Sequence, residues 1–389
     1  MRIGYYAHHH GSGHCRQIDK LAALLPIEDR QQLTVFTSLT PEAYTFTAIN
    51  EQQIVRLYPE DERADDVLKG RAGKHWQPAS LHYSPVGNAD IRKRSHQILD
   101  TIYQRDIDLM IIDVSVEVAM LCRTASIPYL YVRLPGLRDD TPHLDAFAGA
   151  LALLAPYPRV LEAAMTPSWV AQKTLYLDFI NPTKNDTSSH EDFVKTLMTL
   201  TADNEVLKIL SAPAQIITVI KGYGGHEAID AKLPELRRLL PNVVIISLGP
   251  IDDAMRHYVD IAIHVSDVTP FMQHSDYLLM ACGLNAVAQA YHYATPLVVL
   301  PDDRPHQEQE MMAQALIAQG RALSWEQFKH SISAEDILAN PDTPSSSQQN
   351  LVNHLSSAQM FMDSTTNYAT TKPWFNEWLL PKLALKPDA

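Results

Sequence analysis

The stretch "HHHGSGHC" (residues 8–15) places histidines and glycines between a short apolar run and a helical pattern. Gly11 and Gly13 would let another group approach the backbone closely, and the N–H groups at a helix start favour a polar or anionic guest. His14 would lie at that helix start, with His10 just before the turn. Because imidazole titrates near neutral pH, His14 is the first candidate for a general base and His10 the second. The alternative interpretation of His14 is a residue that only caps the helix.

One carboxylate in the first half is a candidate for the same chemistry. Asp113 ends the apolar run "LMIID". The carboxyl ends of parallel strands meet at one edge of a sheet, so Asp113 could orient His14 or act as the base itself. Alternatively, Asp113 is the N-cap of the helix that follows in "DVSVEV".

Neither a dinucleotide fingerprint nor a metal site fits the residues of "HHHGSGHC". The fingerprint needs a third glycine where this chain has Arg16, and no acidic residue closes the second strand "LTVFTS". A metal site would need His8, His9 and His10 to converge, whereas adjacent side chains on a strand point to opposite faces. We therefore expect no metal here.

A second glycine-rich turn opens the second half of the chain, in "IKGYGGHEA" (residues 220–228). Gly222, Gly224 and Gly225 suit a diphosphate beside a helix N-terminus, and His226 lies where a diphosphate would pass. Lys221 either adds positive charge to this site or is an ordinary solvated lysine at a strand end. The two alternatives for Lys221 are equally well supported by the sequence.

Similar turns follow later strands. Gly283 follows the run "SDYLLMAC", and Glu308 and Gln309 open a helix after "TPLVVLP". All these turns are expected at the carboxyl edge of one parallel sheet, where α/β proteins bind ligands. Together they predict a pocket for a nucleotide diphosphate.

The elements that must position these residues alternate along the chain. Short β-rich runs such as "RIGYYA" and "QIITVIKG" each precede a helical pattern such as "CRQIDKLAALL" or "HEAIDAKLPELRRLL". Buried strands alternating with helices predict an α/β fold with two doubly wound parallel sheets, one in each half. We expect an N-terminal domain at 1–180, a C-terminal domain at 181–362 and a docking helix within 363–389.

Composition narrows the class of protein. The chain has 389 residues and a formal net charge of -13, which argues against nucleic acid as a partner. Cys15, Cys122 and Cys282 are far apart and form no disulfide framework, which favours a reducing cytoplasm. No apolar run is long enough to span a membrane, and the N-terminus lacks the layout of a signal peptide.

These motifs resemble the GT-B glycosyltransferases, near family 28 (which includes the cell-wall N-acetylglucosaminyltransferase) and the UDP-glycosyltransferases. The block from Met272 to Gln309 is similar to the sugar-donor motif of that family, and Gly11, Gly13 and His14 match its N-terminal turn. The chain departs from the motif where the family has a ribose-binding carboxylate, because Gln289 stands there.

The resemblance implies a metal-independent enzyme without a cofactor. It would transfer a sugar from a nucleotide diphosphate, most commonly a UDP-sugar, to an acceptor hydroxyl such as that of a glycolipid, a polysaccharide precursor or a small molecule. It also implies donor-binding roles for Asp267 and Val268 beside the base, Gly283, Leu284 and Asn285 at the diphosphate, Gln289 at the ribose, and Glu308 and Gln309 at the sugar. The alternatives are a non-hydrolysing sugar-nucleotide epimerase and a non-catalytic nucleotide-sugar-binding protein.

The resemblance implies that the acceptor is recognised by the N-terminal domain, for which the stretch between residues 60 and 94 is the candidate. Its basic and aromatic residues are Lys69, Arg71, Lys74, Trp76, Arg92, Lys93 and Arg94. They either bind an anionic glycolipid at the inner face of a membrane or form a solvated helix face balanced by the acidic "EDERADD". We favour the solvated face.

Overall fold

A computed structural model of the chain describes residues 1–8, 12–60, 78–179, 189–211, 215–222 and 227–337. These residues divide into two compact units. The N-terminal unit comprises residues 1–159 and 164–179, and the C-terminal unit comprises residues 160–163 and the described residues from 189 onward. The predicted boundary between residues 180 and 181 and the predicted helix within 363–389 lie outside the described residues.

The N-terminal unit is built on a sheet of seven parallel strands. They are β1 (Ile3–Tyr6), β2 (Leu33–Thr37), β3 (Ile54–Arg56), β4 (Leu109–Asp113), β5 (Tyr129–Val132), β6 (Ala152–Ala155) and β7 (Thr174–Tyr176). Their order, β3-β2-β1-β4-β5-β6-β7, is doubly wound about β1 and β4. In this register Tyr6 pairs with Phe36 on one side and Ile112 on the other. β1 and β4 therefore end side by side.

Helices cover both faces of this sheet, which explains why its strands are apolar on both sides. They are α1 (Gly13–Leu24), α2 (Ile27–Gln31), α3 (Ala89–Gln104), α4 (Val116–Thr124), α5 (Thr141–Gly149) and α6 (Ser168–Lys173). Ile18 and Leu21 of α1, and Leu25 directly after it, are buried in the core on that side. A second core on the other face includes Ile98 of α3 and Phe147 of α5.

The C-terminal unit repeats the plan with six parallel strands. They are β8 (Ile216–Ile220), β9 (Val244–Leu248), β10 (Ile261–Ile263), β11 (Tyr277–Met280), β12 (Leu297–Val299) and β13 (Ala322–Ser324). Their order is β10-β9-β8-β11-β12-β13. The predicted α/β class with two doubly wound parallel sheets is confirmed.

The helices of the C-terminal unit vary widely in length. They are α7 (His190–Thr199), α8 (Asn204–Leu210), α9 (Glu227–Asp230), α10 (Leu233–Leu239), α11 (Thr269–His274), α12 (Leu284–Ala290), α13 (Glu308–Ala318) and α14 (Trp325–Ile337). The single helix expected over residues 226–240 is wrong, since α9 and α10 are separated by a turn. Pro234 lies in the first turn of α10, where its missing N–H costs nothing and its ring favours a new helix start.

Among the described residues, no helix is both long enough and apolar enough to cross a lipid bilayer.

Candidate active site

The structure brings His14 and Asp113 together at the carboxyl edge of the N-terminal sheet. His14 lies in the first turn of α1, which follows β1, and Asp113 is the last residue of the neighbouring β4. His14 Nδ1 is 3.1 Å from Asp113 Oδ1, and the two side chains are 16% and 1% exposed. A partly exposed imidazole backed by a buried carboxylate is an arrangement suited to general-base catalysis.

The contact is short, but its alignment is not yet that of a hydrogen bond. Asp113 Oδ1 is buried and accepts no hydrogen bond of good geometry, despite the 3.1 Å distance to His14. Catalytic hydrogen bonds often become short and well aligned only when substrate binds. At present the contact is electrostatic.

The other oxygen of Asp113 is held from inside the sheet. Tyr5 Oη donates to Asp113 Oδ2 at 3.1 Å. Burial first, and then the charge of Asp113, raise the pKa of Tyr5 well above its ordinary value, so the phenol stays a neutral donor. The alternative role of Asp113 as a helix N-cap is wrong: Ser115 is the N-cap of α4, and its Oγ accepts from the backbone N–H of Val118.

His8 lies beside His14, although the sequence motifs indicated it only as a possible metal ligand. β1 ends at Tyr6, so the histidine run follows the strand and the alternation of strand side chains does not apply to it. The His8 ring packs edge-on against that of His14 with 5.7 Å between centroids, and His8 Nε2 is 3.6 Å from Glu60 Oε1. His10 and Gly11 lie outside the described residues. Gly13 is the first residue of α1, so the helix begins one residue before the predicted start at His14.

Arg94 was expected either on a solvated helix face or in an exposed basic patch, and the structure shows that both expectations are wrong. It is buried, its Nε lies 3.3 Å from Glu60 Oε2, and its guanidinium donates to Tyr6 Oη and to the carbonyl of Tyr58. Arg94 is therefore neither a solvated residue nor part of an exposed basic patch. It neutralises the carboxylate that faces His8.

The two residues before Arg94 on α3 are in contact with solvent, which both interpretations of the basic stretch allow. Arg92 and Lys93 are exposed, and Lys93 Nζ is 3.6 Å from Asp90 of the same helix. The other members of the predicted acceptor stretch, Lys69, Arg71, Lys74 and Trp76, lie outside the described residues.

A second group of polar side chains, which the sequence motifs did not indicate, lies near the carboxyl ends of β4 and β5. Asp140 Oδ1 is 2.8 Å from His82 Nε2, and Asp140 Oδ2 is 2.7 Å from His143 Nδ1. Burial, followed by the charge of Arg138, lowers the pKa of His143 to about 3 against the opposing pull of Asp140. Burial alone would raise the pKa of Asp140, but hydrogen bonds from His143 and His82 outweigh it and hold that pKa below its ordinary value.

In the C-terminal unit, Lys221 is not a solvated strand-end lysine. Its ammonium is fully buried and pairs with Asp230 at the end of α9. Because that carboxylate already neutralises it, the arrangement gives no support to direct contact with a diphosphate. Gly222 follows it and is exposed. Gly224, Gly225 and His226 lie outside the described residues.

The turn at Gly283 is open, and it does not require the conformational freedom of glycine. Gly283 has φ −62° and needs no glycine conformation, whereas the preceding Cys282 has φ +62°. A Cβ added at Gly283 would meet no atom within 4 Å, so another group can approach it. Leu284 is buried, Asn285 is half-buried, and Gln289 Nε2 donates to the carbonyl of Asn285 at 3.1 Å.

The remaining predicted donor residues follow β10 and β12. Asp267 is exposed and its Oδ1 accepts from the backbone N–H of Thr269, while Val268 immediately precedes α11. Glu308 opens α13 as predicted. Gln309 is buried, and its Oε1 accepts from the backbone N–H of Asp302 at 2.8 Å. That bond fixes Gln309 to the preceding loop instead of presenting its carbonyl to a sugar.

A cation that the sequence motifs did not indicate follows β12. Arg304 is about one-third exposed, with its Nη2 4.0 Å from Asp302 Oδ2. The pair is looser than that of Lys221 with Asp230, and its guanidinium remains in contact with solvent.

No protein-family model and no curated protein matches this sequence. Solved structures match over most of the chain. A UDP-glucosyltransferase from Polygonum tinctorium capable of glucosylating indoxyl is 11% identical, with 99% of each chain covered and a TM-score of 0.63. Phytolacca americana UGT2, complexed with UDP-2fluoro-glucose and pterostilbene, is 12% identical, with 99% of each chain covered and a TM-score of 0.59. Acinetobacter baumannii MurG is 12% identical over 92% of this chain and 95% of its own, with a TM-score of 0.56. The chain has the GT-B glycosyltransferase fold.

At these identities the likeness concerns the GT-B fold, and the site must be judged from its own geometry. In the N-terminal unit of this GT-B chain, His14 and Asp113, the two catalytic candidates among the described residues, are in contact. In the C-terminal unit, the described donor candidates follow the carboxyl ends of parallel strands of one sheet. Lys221 and Gln309 are both buried, and each is held by an internal partner.

Proposed function

We propose that this protein is a glycosyltransferase that moves a sugar from a nucleotide diphosphate, most commonly UDP, to an acceptor hydroxyl without a metal ion. The observation that carries the proposal is the contact of partly exposed His14 with buried Asp113, at the ligand-binding edge of a sheet in a GT-B chain. The solved structures with this fold include glucosyltransferases bound to UDP or to a UDP-sugar analogue. They support a nucleotide-sugar donor.

In the proposed reaction, His14 Nε2 takes the proton of the acceptor hydroxyl as its oxygen attacks the anomeric carbon of the donor. A C–O bond forms to the acceptor, the bond from the anomeric carbon to the phosphate oxygen breaks, and its electron pair leaves with the diphosphate. The imidazolium that forms lies beside the Asp113 carboxylate, which stabilises its charge. Tyr5 holds that carboxylate in place from the buried side.

Donor recognition is assigned to the C-terminal unit. Exposed Gly222 and open Gly283 offer backbone N–H groups to the diphosphate, and Arg304 offers a solvent-accessible positive charge after β12. Asn285 lies beside Gly283, Asp267 and Val268 would lie beside the base, and Gln289 and Glu308 would bind the ribose and the sugar. In this scheme Lys221 and Gln309 shape the loops and do not touch the donor.

The first experiment is calorimetric titration of the purified chain with UDP, GDP and dTDP, with and without EDTA. We expect one diphosphate to bind with the same affinity in both conditions. Release of that diphosphate from matching nucleotide sugars is then followed with a panel of acceptor alcohols. His14→Ala is expected to lower transfer by ~10²–10⁴-fold while leaving diphosphate binding unchanged.

The matched control is His96→Ala, since His96 is exposed on α3 and should not affect either measurement. Binding without release would contradict transfer and favour a non-catalytic sensor. Conversion of the donor sugar without an acceptor would favour the epimerase. Absence of binding by all three diphosphates would remove the proposal's support.

A further inference from the structure

The polar group formed by His82, Asp140 and His143 has the composition of a metal site. One ligand atom from each, two imidazole nitrogens and a carboxylate oxygen, lies within 4.8 Å of the other two. The side chains of His82 and Asp140 are each 35% exposed, whereas His143 is buried. A metal ion could therefore reach the group from solvent while one ligand is fixed in the core.

The backbone around these residues is anchored before any ligand arrives. Glu117 Oε1 accepts from the N–H groups of both His82 and Tyr83, which ties their loop to the start of α4. Asp140 is the N-cap of α5, and its Oδ1 accepts from the backbone N–H of His143 at 3.1 Å. The starts of two helices thus anchor the backbone at all three residues, which lowers the entropic cost of assembling a site.

The ligand chemistry selects the ion. Two nitrogens and one carboxylate oxygen suit Zn²⁺, whereas Mg²⁺ and Ca²⁺ take oxygen ligands. Zn²⁺ holds such atoms at about 2.0–2.2 Å, so in a tetrahedron they lie roughly 3.4 Å apart. His82 Nε2 now contacts Asp140 Oδ1 at 2.8 Å and His143 Nδ1 contacts Asp140 Oδ2 at 2.7 Å, so each contact must open by about 0.6–0.7 Å to surround one ion.

One neighbour opposes metal binding. Arg138 Nη1 is 3.1 Å from His143 Nε2 and donates to it, which leaves the proton on Nδ1 facing Asp140. Zn²⁺ bound at Nδ1 would move that proton to Nε2, where it would face the guanidinium. Arg138 must then turn away, so binding is weakened by the charge and geometry of Arg138.

We propose that His82, Asp140 and His143 supply three ligands of a Zn²⁺ site in the N-terminal unit, with Arg138 as the group that limits affinity. Binding replaces two hydrogen bonds to Asp140 with metal bonds and joins the loop at His82 to the start of α5. This site does not depend on the proposed sugar transfer, whose chemistry uses no metal.

The test is titration of metal-stripped full-length protein with ZnCl₂ alone, read by calorimetry and by the visible spectrum of Co²⁺ in place of Zn²⁺. We expect one ion per chain and the absorption of tetrahedral Co²⁺. His82→Ala, at a partly exposed position, should weaken binding at least about tenfold, and Arg138→Gln should tighten it by about three- to tenfold.

Two control variants separate this site from the remaining histidines. His96→Ala on α3 and His9→Ala in the histidine run should leave the affinity unchanged. His143→Asn should also lose the ion, and its circular dichroism spectrum reports whether the fold survives. The inference is overturned if His82→Ala binds Zn²⁺ as well as the native chain, if Arg138→Gln binds it more weakly, or if His9→Ala abolishes binding.

Discussion

Replacing Asp113 with asparagine removes one charge from the His14 contact while preserving the shape of the side chain. At the observed separation of 3.1 Å and an effective dielectric constant of 20, two unit charges attract by ~5 kcal/mol. That figure is an upper bound, because His14 retains solvent contact and water screens the pair. We expect ~2–3 kcal/mol, which corresponds to a fall of about two units in the His14 titration midpoint.

Two assays measure this change. The first follows the imidazole signals of His14 by NMR as pH is varied, with exposed His96 as the internal control whose midpoint should not move. The second follows sugar transfer against pH, where we expect kcat to fall ~30- to 100-fold and its acidic limb to move to lower pH. Both changes come from one cause, since the imidazolium loses its counter-charge.

Tyr5→Phe should shift the His14 titration midpoint in the opposite direction. It removes the hydrogen bond to Asp113 Oδ2, so the carboxylate acts on His14 more strongly and the His14 midpoint should rise. If the midpoint of His14 is unchanged in Asp113→Asn, or moves in the same direction in both variants, the carboxylate does not control the imidazole. A role for His14 as a base oriented by Asp113 would then be refuted.

Three further predictions concern stability, measured by urea unfolding. The pKa of His143 is about 3 in the folded chain and 6.5 ordinarily, so the unfolded chain binds a proton more readily between these pH values. The free energy of unfolding should therefore fall by up to ~1.4 kcal/mol per pH unit as the pH falls from about 6.5 towards 3. In EDTA, His143→Asn should make this dependence on pH weaker. Lys221→Met should cost ~3–5 kcal/mol because it leaves Asp230 buried without its cation, and Asp230→Leu in the same chain should recover most of it. Gly249→Ala should lower the free energy of unfolding by ~1–3 kcal/mol, because Gly249 has φ +108° and the added Cβ would lie 2.6 Å from the carbonyl oxygen of Lys221. Gly283→Ala is the control: its added Cβ has open space around it, so stability should change by less than ~1 kcal/mol.

The alternation of apolar runs and helical patterns predicts the fold because each strand is covered on both faces. β1, β4, β8 and β11 are continuous apolar runs, and their burial follows from that pattern. The sequence does not predict β7 (TLY) or β13 (ALS), because neither is a run of β-branched residues like the equally short β12 (LVV). Short strands carry too little periodicity to be separated from loops.

The His14–Asp113 contact could be predicted because His14 follows one strand and Asp113 ends another. In a parallel sheet the carboxyl ends of neighbouring strands lie side by side. The pairing of His82 with Asp140 could not, since the two residues are 58 positions apart and neither follows a strand directly. His8 was missed for a related reason: its partner Glu60 lies after a third strand, and only the folded chain brings them within 3.6 Å.

Lys221 and Arg304 show why the position of a cation after a strand does not establish that it binds the diphosphate. Both follow strands of the same sheet at the edge where a nucleotide is expected, and both are near an acidic residue in the sequence. Lys221 meets Asp230 in the core, where solvent does not weaken the pair, so releasing its charge to a ligand would expose a buried carboxylate. Arg304 is itself 31% exposed and lies 4.0 Å from Asp302, a carboxylate as buried as Asp230, so it is the longer contact and the solvent access of the cation that set Arg304 apart. Sequence spacing encodes neither of these properties, and they decide which cation is available for binding.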